Sequence, residues 1–478
     1  MTAVPGKGTA SQVVADTAFA IAREGLPEDL RTDVRRRFLD LVGNSIAASR
    51  HSPGQSIAQL IERWSGREEA TAIGLGRYPS GSAALMNGTL AHSLDFDDTH
   101  LPSVLHPSSS VIPAALATAE RVGATGSAFL DAAATGIEIV CRLGMAGYDS
   151  ELGNSVFFER GQHATAICGA LGSALAAGML LEQTPEQLMS TIGIAASMGS
   201  GILEANRTGG SVKRIHCGWA AHAGVTAAEM SSAGLSGPPT ALEGRFGFFQ
   251  AFCGDQFDIS AVTDGFGNEW LLPGIFLKPY PSNHFTHAGI DAAMKMKADG
   301  VDVRQIERLV LEVPGPVLRT IAEPRQDKIR PKSGYHAAFS GPYTVAAALI
   351  GGGGLGLFHD DFTDASARNP ERLALAARVE CIESEECNEI FPFQFPAILT
   401  ATLFDGTSIS ERVMANRGGP LNPLSTEDIG AKFHANSDPI VGATAAALIA
   451  SQILNIGEDS LEALMTVLGQ ATSSSKAR

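Results

Sequence analysis

The densest chemistry in this chain lies in residues 91–107, AHSLDFDDTHLPSVLHP, where His92, Asp95, Asp97, Asp98, Thr99, His100 and His106 crowd together. Imidazoles and carboxylates at this density can exchange protons, orient one another, or ligate a metal. If the preceding helix runs on through Thr99, then His92, Asp95 and Thr99 fall at i, i+3 and i+7 on one face, where a single site could use all three. Capping of a helix end accounts for any one aspartate or the threonine. It does not call for three histidines beside three aspartates. The spacing matches neither HExxH nor another defined ligand set, so no metal is expected.

Three further segments carry candidate groups. In GQHATAICGALG, His163 opens a helix of small residues, and a helix N-terminus disfavours the imidazolium, which suits a general base. A capping or core histidine is the plainer role. In NRTGGSVKRIHCGWAAHAG, Arg207, Lys213, Arg214 and His216 border a Gly-rich loop and a helix start, a combination of cations and free amides that binds carboxylates. An ordinary solvated basic turn has the same composition. In LKPYPSNHFTHAGIDAA, Lys278 precedes a Pro-Tyr-Pro turn, and His284 and His287 enter a helix. Lys278 could hold a substrate carboxylate or donate a proton, or it could be a solvated strand-end lysine whose removal leaves stability unchanged. GGGGLG at 351–356 lacks the Gly-Lys-Ser/Thr of a phosphate loop and follows a helix, so it reads as a helix terminus.

The elements that must position these groups are mostly helical. In PEDLRTDVRRRFLDLVGNSIAAS, Leu30, Val34, Phe38, Leu41, Val42 and Ile46 recur near helical spacing, with Arg31, Arg35 and Arg36 on the other face. Similar Ala- and Gly-rich stretches follow to about residue 235, separated by Gly, Pro and Ser breakers. After about 269 the pattern becomes β-rich: GIFLK (274–278), RLVLEVP (308–314), RVECI (378–382) and AILTATLFDGTSISERV (397–413), the last with Asp405-Gly406 as a hairpin turn. Helical patterns return from about 416. The expected fold is mainly α: an all-helical domain of 1–268 plus 416–478, interrupted by a smaller α+β lid domain of 269–415. The tail SSSKAR is expected to be disordered.

Composition narrows the partners. The 478 residues carry 35 Lys and Arg against 51 Asp and Glu, a net charge of −16, which argues against nucleic acid and anionic membranes as partners. Hydrophobic residues make up 44%, without an uninterrupted apolar span or an N-terminal signal core, so a cytoplasmic location is expected. Six cysteines without a CxxC pair are expected to be reduced and mostly buried.

Taken in order, LDLVGNSIAAS, AHSLDFDDTH with HPSSSVIPAALA, GQHATAICGALGSALAAGMLL, SVKRIHCGWAAHAG, LEGRFGFFQAF, LKPYPSNHFTHAGIDA and FSGPYTVAAAL make the chain resemble the MmgE/PrpD family over nearly its whole length. That family includes 2-methylcitrate dehydratases, cis-aconitate decarboxylase and iminodisuccinate epimerase. The resemblance implies a large helical domain with a smaller α+β lid, a site between them, a homodimer, and no metal or organic cofactor. It carries active-site roles onto Asp95, Thr99, His106, His163, Lys213 and Lys278, with Tyr343 a weaker match. His163 and His106 become acid/base candidates, Lys213 and Lys278 carboxylate clamps, Asp95 and Thr99 orienting groups. Arg207, Arg214 and His284 are further candidates for contacting a small anionic carboxylate. Where the decarboxylases of the family carry an active-site histidine, this sequence has Asn283, with His284 one step further along. The first expectation is therefore dehydration of a 2-methylcitrate-like tricarboxylate. Epimerisation or isomerisation of an iminodisuccinate-like dicarboxylate comes next, then cis-aconitate-type decarboxylation, and last a helical binding protein without catalysis.

Overall fold

A computed structural model describes residues 8–205 and 210–471. The chain forms two compact units, one built from the chain up to Ile275 together with the stretch from Phe433 onward, the other from Phe276–Lys432. These limits differ from the composition change at 268/269 and 415/416, and hydrogen bonding explains both shifts. Residues 269–275 are claimed by the helical unit: Arg142 donates to the carbonyls of Asp264 and Glu269, the amides of Leu271 and Leu272 donate to Glu138, and Arg37 donates to the carbonyls of Leu272 and Ile275. Residues 416–432 are claimed by the other unit, through Leu277 N–H to Gly418 O, Asn416 to His284, and Lys432 Nζ to the carbonyl of Lys278.

Six helices of the first unit position its polar clusters: α1 (Glu28–Ala48), α2 (Ser80–His92), α3 (Ser108–Val122), α4 (Gly126–Ala146), α5 (Ala164–Leu180) and α6 (His216–Ser232). Every residue of α5 is buried. A helix that is apolar and small on all sides belongs in the middle of a bundle, and α3, α4 and α6 pack around it. Two crossings require glycine. A Cβ on Gly172 of α5 would lie 2.5 Å from the carbonyl oxygen of Gly136 in α4, and one on Gly88 of α2 would lie 2.8 Å from Cα of Gly218 in α6. The second crossing sits four residues before His92 and two after His216, so it draws those two helix ends together. No helix among the described residues is long and apolar enough to cross a membrane.

The second unit wraps α7 (His287–Ala298) and α8 (Gly341–Ile350) against a sheet of β1 (Ile306–Val313), β2 (Val379–Glu383), β3 (Ala397–Leu403) and β4 (Ser408–Val413), in the order β2-β1-β3-β4. β1 runs parallel to β2, with Leu309 opposite Val379, and antiparallel to β3, with Leu311 opposite Leu399. The β3–β4 hairpin turns at Asp405-Gly406, where Asp405 accepts the Thr407 amide and Gly406 takes φ 85°. GIFLK is not a strand: Leu272–Gly274 form a 3-10 turn, and only Phe276 makes an isolated bridge. Leu309, Leu311, Leu399, Val345 and Ile290 build this unit's core. The Gly-rich loop after α8 is filled from within, since the amides of Gly353 and Phe358 donate to the Asp361 carboxylate. All six cysteines are free, and five are buried. The expected tail disorder concerns residues outside the described range.

Candidate active site

Helix α2 stops at His92, so the expected i, i+3, i+7 face does not exist. Asp95 instead takes a left-handed backbone, φ 53°, and turns the chain. The loop returns through a bridge between His100 and Leu105, which hydrogen-bond to each other in both directions. This fold-back, rather than a helix face, brings Asp95, Asp97, Thr99 and His106 together.

His106 Nδ1 lies 2.6 Å from the carbonyl of Asp98 and 3.3 Å from Thr99 Oγ1. A carbonyl only accepts, so in the neutral ring Nδ1 carries the proton and Nε2 is the basic nitrogen, 3.9 Å from Asp95 Oδ1. The same Asp95 oxygen is 3.7 Å from Lys213 Nζ. That pair is partly exposed and of modest strength, so Lys213 can exchange Asp95 for an incoming carboxylate at little cost. His92 Nδ1 donates to Asp97 at 2.8 Å, and Ser109 donates to the same carboxylate oxygen at 2.6 Å.

The buried residue behind this loop is Asp98. It accepts from Arg37 at 3.1 Å and from the Ser108 hydroxyl at 2.5 Å, yet burial pushes its carboxyl up to about 6. His100, hydrogen-bonded to Ser103 at 2.6 Å, is held down to about 4, first by burial and then by Arg37.

His163 precedes α5, and its Nδ1 lies 2.8 Å from Nδ1 of His216 at the start of α6. Burial holds His163 well below the usual imidazole range, assisted by the charge of Lys213 and the neighbouring histidines. His216 is lowered to about 4, again mainly by burial. Ring centroids run from His106 to His92 (5.1 Å), His92 to His163 (5.7 Å) and His163 to His216 (5.0 Å). Four imidazoles thus form a continuous row beside Asp95 and Lys213. Such a row can take up, hold and return a proton next to a cation that attracts carboxylate.

Of the sequence candidates, Asp95, Thr99, His106, His163 and Lys213 meet in this unit. Arg214 is half-buried beside His51, whose pKa it lowers together with burial, and no hydrogen bond joins it to the row. Arg207 lies outside the described residues. Lys278, His284 and Tyr343 belong to the second unit. Lys278 is only 2% exposed, which corrects the solvated strand-end picture and with it the expectation that its removal spares stability. Asn283 caps the next turn by accepting the Phe285 amide at 3.1 Å, while His284 Nε2 meets Asn416 at 2.9 Å. Tyr343 is fully buried in the core of that unit, where it donates to the Asp361 carbonyl at 2.7 Å and accepts from Arg372 at 3.1 Å. The sequence reading grouped His92 with Asp95 and Thr99 on a conditional helix face and His216 with the basic turn, and gave Asp97 no role of its own. His92 and Asp97 stood in the densest cluster and His216 beside Lys213, but only the Gly88–Gly218 crossing makes them one site.

Among the described residues two triplets bring ligand-type atoms within 4.8 Å of one another: His92, Asp97 and Cys217, and Asp95, Asp97 and His106. The first fits a metal poorly, because His92 and Asp97 already satisfy each other and burial pushes the Cys217 thiol well above its usual range. The second is the set a divalent ion would use.

The first unit is not all-helical as expected, since Ala70–Ala72 pairs with Gly76–Tyr78 and Tyr148–Asp149 with Asn154–Ser155 in two short antiparallel hairpins. A mainly helical unit with a row of imidazoles at its helix ends, interrupted in sequence by an α+β unit, is the class this chain falls in. The MmgE/PrpD N-terminal domain matches residues 12–260 and the MmgE/PrpD C-terminal domain residues 280–456. The chain belongs to the MmgE/PrpD family. It is 28% identical to cis-aconitate decarboxylase of Homo sapiens over 445 residues, covering 89% of this chain and 88% of that protein. It is 24% identical to a cis-aconitate decarboxylase-like protein of Aspergillus oryzae, covering 93% and 95%, and 26% identical to cis-aconitate decarboxylase of Aspergillus terreus, covering 87% and 86%.

Proposed function

We propose that the protein is a lyase acting on a small di- or tricarboxylate, with its side chains carrying the proton transfers. The observation that carries this reading is the imidazole row from His106 to His216 beside Lys213 and Asp95. Lys213 attracts the substrate carboxylate, and His106 Nε2 accepts or returns the proton.

Decarboxylation of a cis-aconitate-like tricarboxylate is the first reading, because the human and Aspergillus relatives bear that activity and are matched over most of their length. In this step the bond to one carboxylate breaks, its electron pair enters the adjoining double bond system, and an imidazole proton quenches the carbon at the far end. Dehydration of a 2-methylcitrate-like substrate is the second reading. It is favoured by Asn283, which stands in place of the decarboxylase histidine and is engaged in capping, while His284 is engaged with Asn416. Here a base takes the proton beside a carboxylate and an acid protonates the departing hydroxyl.

The test is to incubate the protein in deuterated buffer with cis-aconitate, 2-methylcitrate and related dicarboxylates, following proton spectra and released CO2. CO2 with an unsaturated dicarboxylate from cis-aconitate supports the first reading. Water loss from 2-methylcitrate replaces it with the second. Deuterium wash-in without net conversion indicates an epimerase, and inertness towards the whole panel refutes catalysis on polycarboxylates.

A further inference from the structure

The contact between His163 and His216 has a consequence for proton chemistry that neither ring has alone. Their Nδ1 atoms are 2.8 Å apart, and both rings are buried. Two lone pairs at that distance repel, and so do two N–H groups, so one Nδ1 bears hydrogen and the other accepts it. The charged and titratable groups facing the pair are Lys213 from the turn before α6, His92 from the end of α2, and His106 from the returning loop. Each of these lowers the affinity of His163 for a second proton, which keeps both rings neutral at pH 7. The pair then holds two N–H protons, one shared between the Nδ1 atoms and one on the Nε2 of the accepting ring. The Nε2 of the donating ring is left as a base. The pair is held tightly: His163 N–H donates to the carbonyl of Gly201 at 3.0 Å, and a Cβ on Gly201 would lie 3.3 Å from His163 Cβ and 3.4 Å from His216 Nδ1.

We propose that His216 is a positioning residue that, through the proton shared between the two Nδ1 atoms, fixes which nitrogen of His163 is presented to the reacting groups. The shared proton itself is independent of the lyase function, whereas its effect on turnover rests on that reading.

The experiment labels histidine with 15N and reads imidazole tautomers from long-range proton–nitrogen spectra at pH 7, with His163→Gln and His216→Gln identifying the two rings. In the wild type the two rings are expected to show opposite tautomers, each in a single form. His216→Leu, which fills the space without a partner atom, should leave His163 as a mixture of tautomers. His216→Asn, whose amide lies near the position of Nδ1, should restore a single form. On whichever polycarboxylate is turned over, His216→Leu should lower kcat by roughly a hundredfold with KM nearly unchanged, a share of the ~10²–10⁴ that a positioned acid–base group contributes. His216→Asn should recover most of that loss. An unchanged single tautomer of His163 in a folded His216→Leu protein would overturn the proposal, as would a charged ring in the wild-type pair at pH 7. Should no polycarboxylate be turned over, the function fails while the tautomer result still decides the role of His216.

Discussion

Replacing Arg37 with Met tests whether the buried support behind His106 is electrostatic. Arg37 is 2% exposed on α1 and donates to Asp33 (2.7 Å), Asp98 (3.1 Å) and the carbonyls of Leu272 (3.0 Å) and Ile275 (3.1 Å). Methionine keeps the stem and removes all four donations. Breaking a buried ion pair from one side costs about 3–5 kcal/mol, and the Ile275 carbonyl left without this donor adds to it unless water reaches it, whereas the Leu272 carbonyl keeps the Ile275 amide. Asp98 limits the loss by protonating. Its folded-state pKa, already raised to about 6, should climb further without the cation. A folded carboxyl with a raised pKa keeps a proton that the unfolded chain has lost, so stability declines as pH rises. The gap between variant and wild type should therefore widen by about 1.4 kcal/mol per pH unit above pH 6, until the variant's own pKa is passed. Arg37→Met with Asp98→Asn removes the carboxylate that Arg37 would otherwise leave unpaired and should regain about 1–3 kcal/mol. Urea unfolding at pH 6, 7 and 8, followed by tryptophan fluorescence, is the assay, because Trp64, Trp219 and Trp270 all lie in the helical unit. A loss under about 1 kcal/mol, or a gap that does not change between pH 6 and 8, would refute the reasoning.

If Lys278 clamps a substrate carboxylate as the resemblance implies, Lys278→Ala should lower kcat/KM by roughly thirty- to a thousand-fold; because it is buried, the change should also cost about 1–3 kcal/mol of stability, which Lys278→Met should recover alone, and parallel kinetics and urea curves on both variants check this. His100, lowered to about 4 from 6.5, is neutral in the fold while the unfolded chain binds a proton, so stability should fall by about 3 kcal/mol as pH drops through that window. His100→Asn should flatten this acid limb, and an unchanged acid transition would remove His100 as its source. Activity should survive chelators and exhaustive dialysis; restoration of a dialysed, inactive protein by a divalent ion would instead assign Asp95, Asp97 and His106 as its ligands.

Local spacing was enough to read the helices, because the 3.6-residue repeat of α1 and the small-residue run of α5 are encoded residue by residue. The β3–β4 hairpin was equally legible, since Asp405-Gly406 sets its own turn. The continuation of α2 through Thr99, which the shared-face reading required, does not occur, because Asp95 takes a left-handed turn that serves the returning loop. Local reasoning placed the unit limits 7 and 17 residues early, at 268 against 275 and 415 against 432, since Arg37, Arg142 and Glu138 secure the first segment through hydrogen bonds from distant helices. The sequence by itself determined that histidines, carboxylates and lysines of the right types are present near helix ends. Which of them share a site was decided by tertiary structure: His163 and His216 are 53 positions apart, and Arg37 and Asp98 61. No periodicity relates such pairs. They meet because distant helices pack together, as where a Cβ on Gly224 of α6 would lie 2.4 Å from Ser173 Cβ in α5, and because burial then makes one shared proton, or one ion pair, the cheapest way to satisfy both partners.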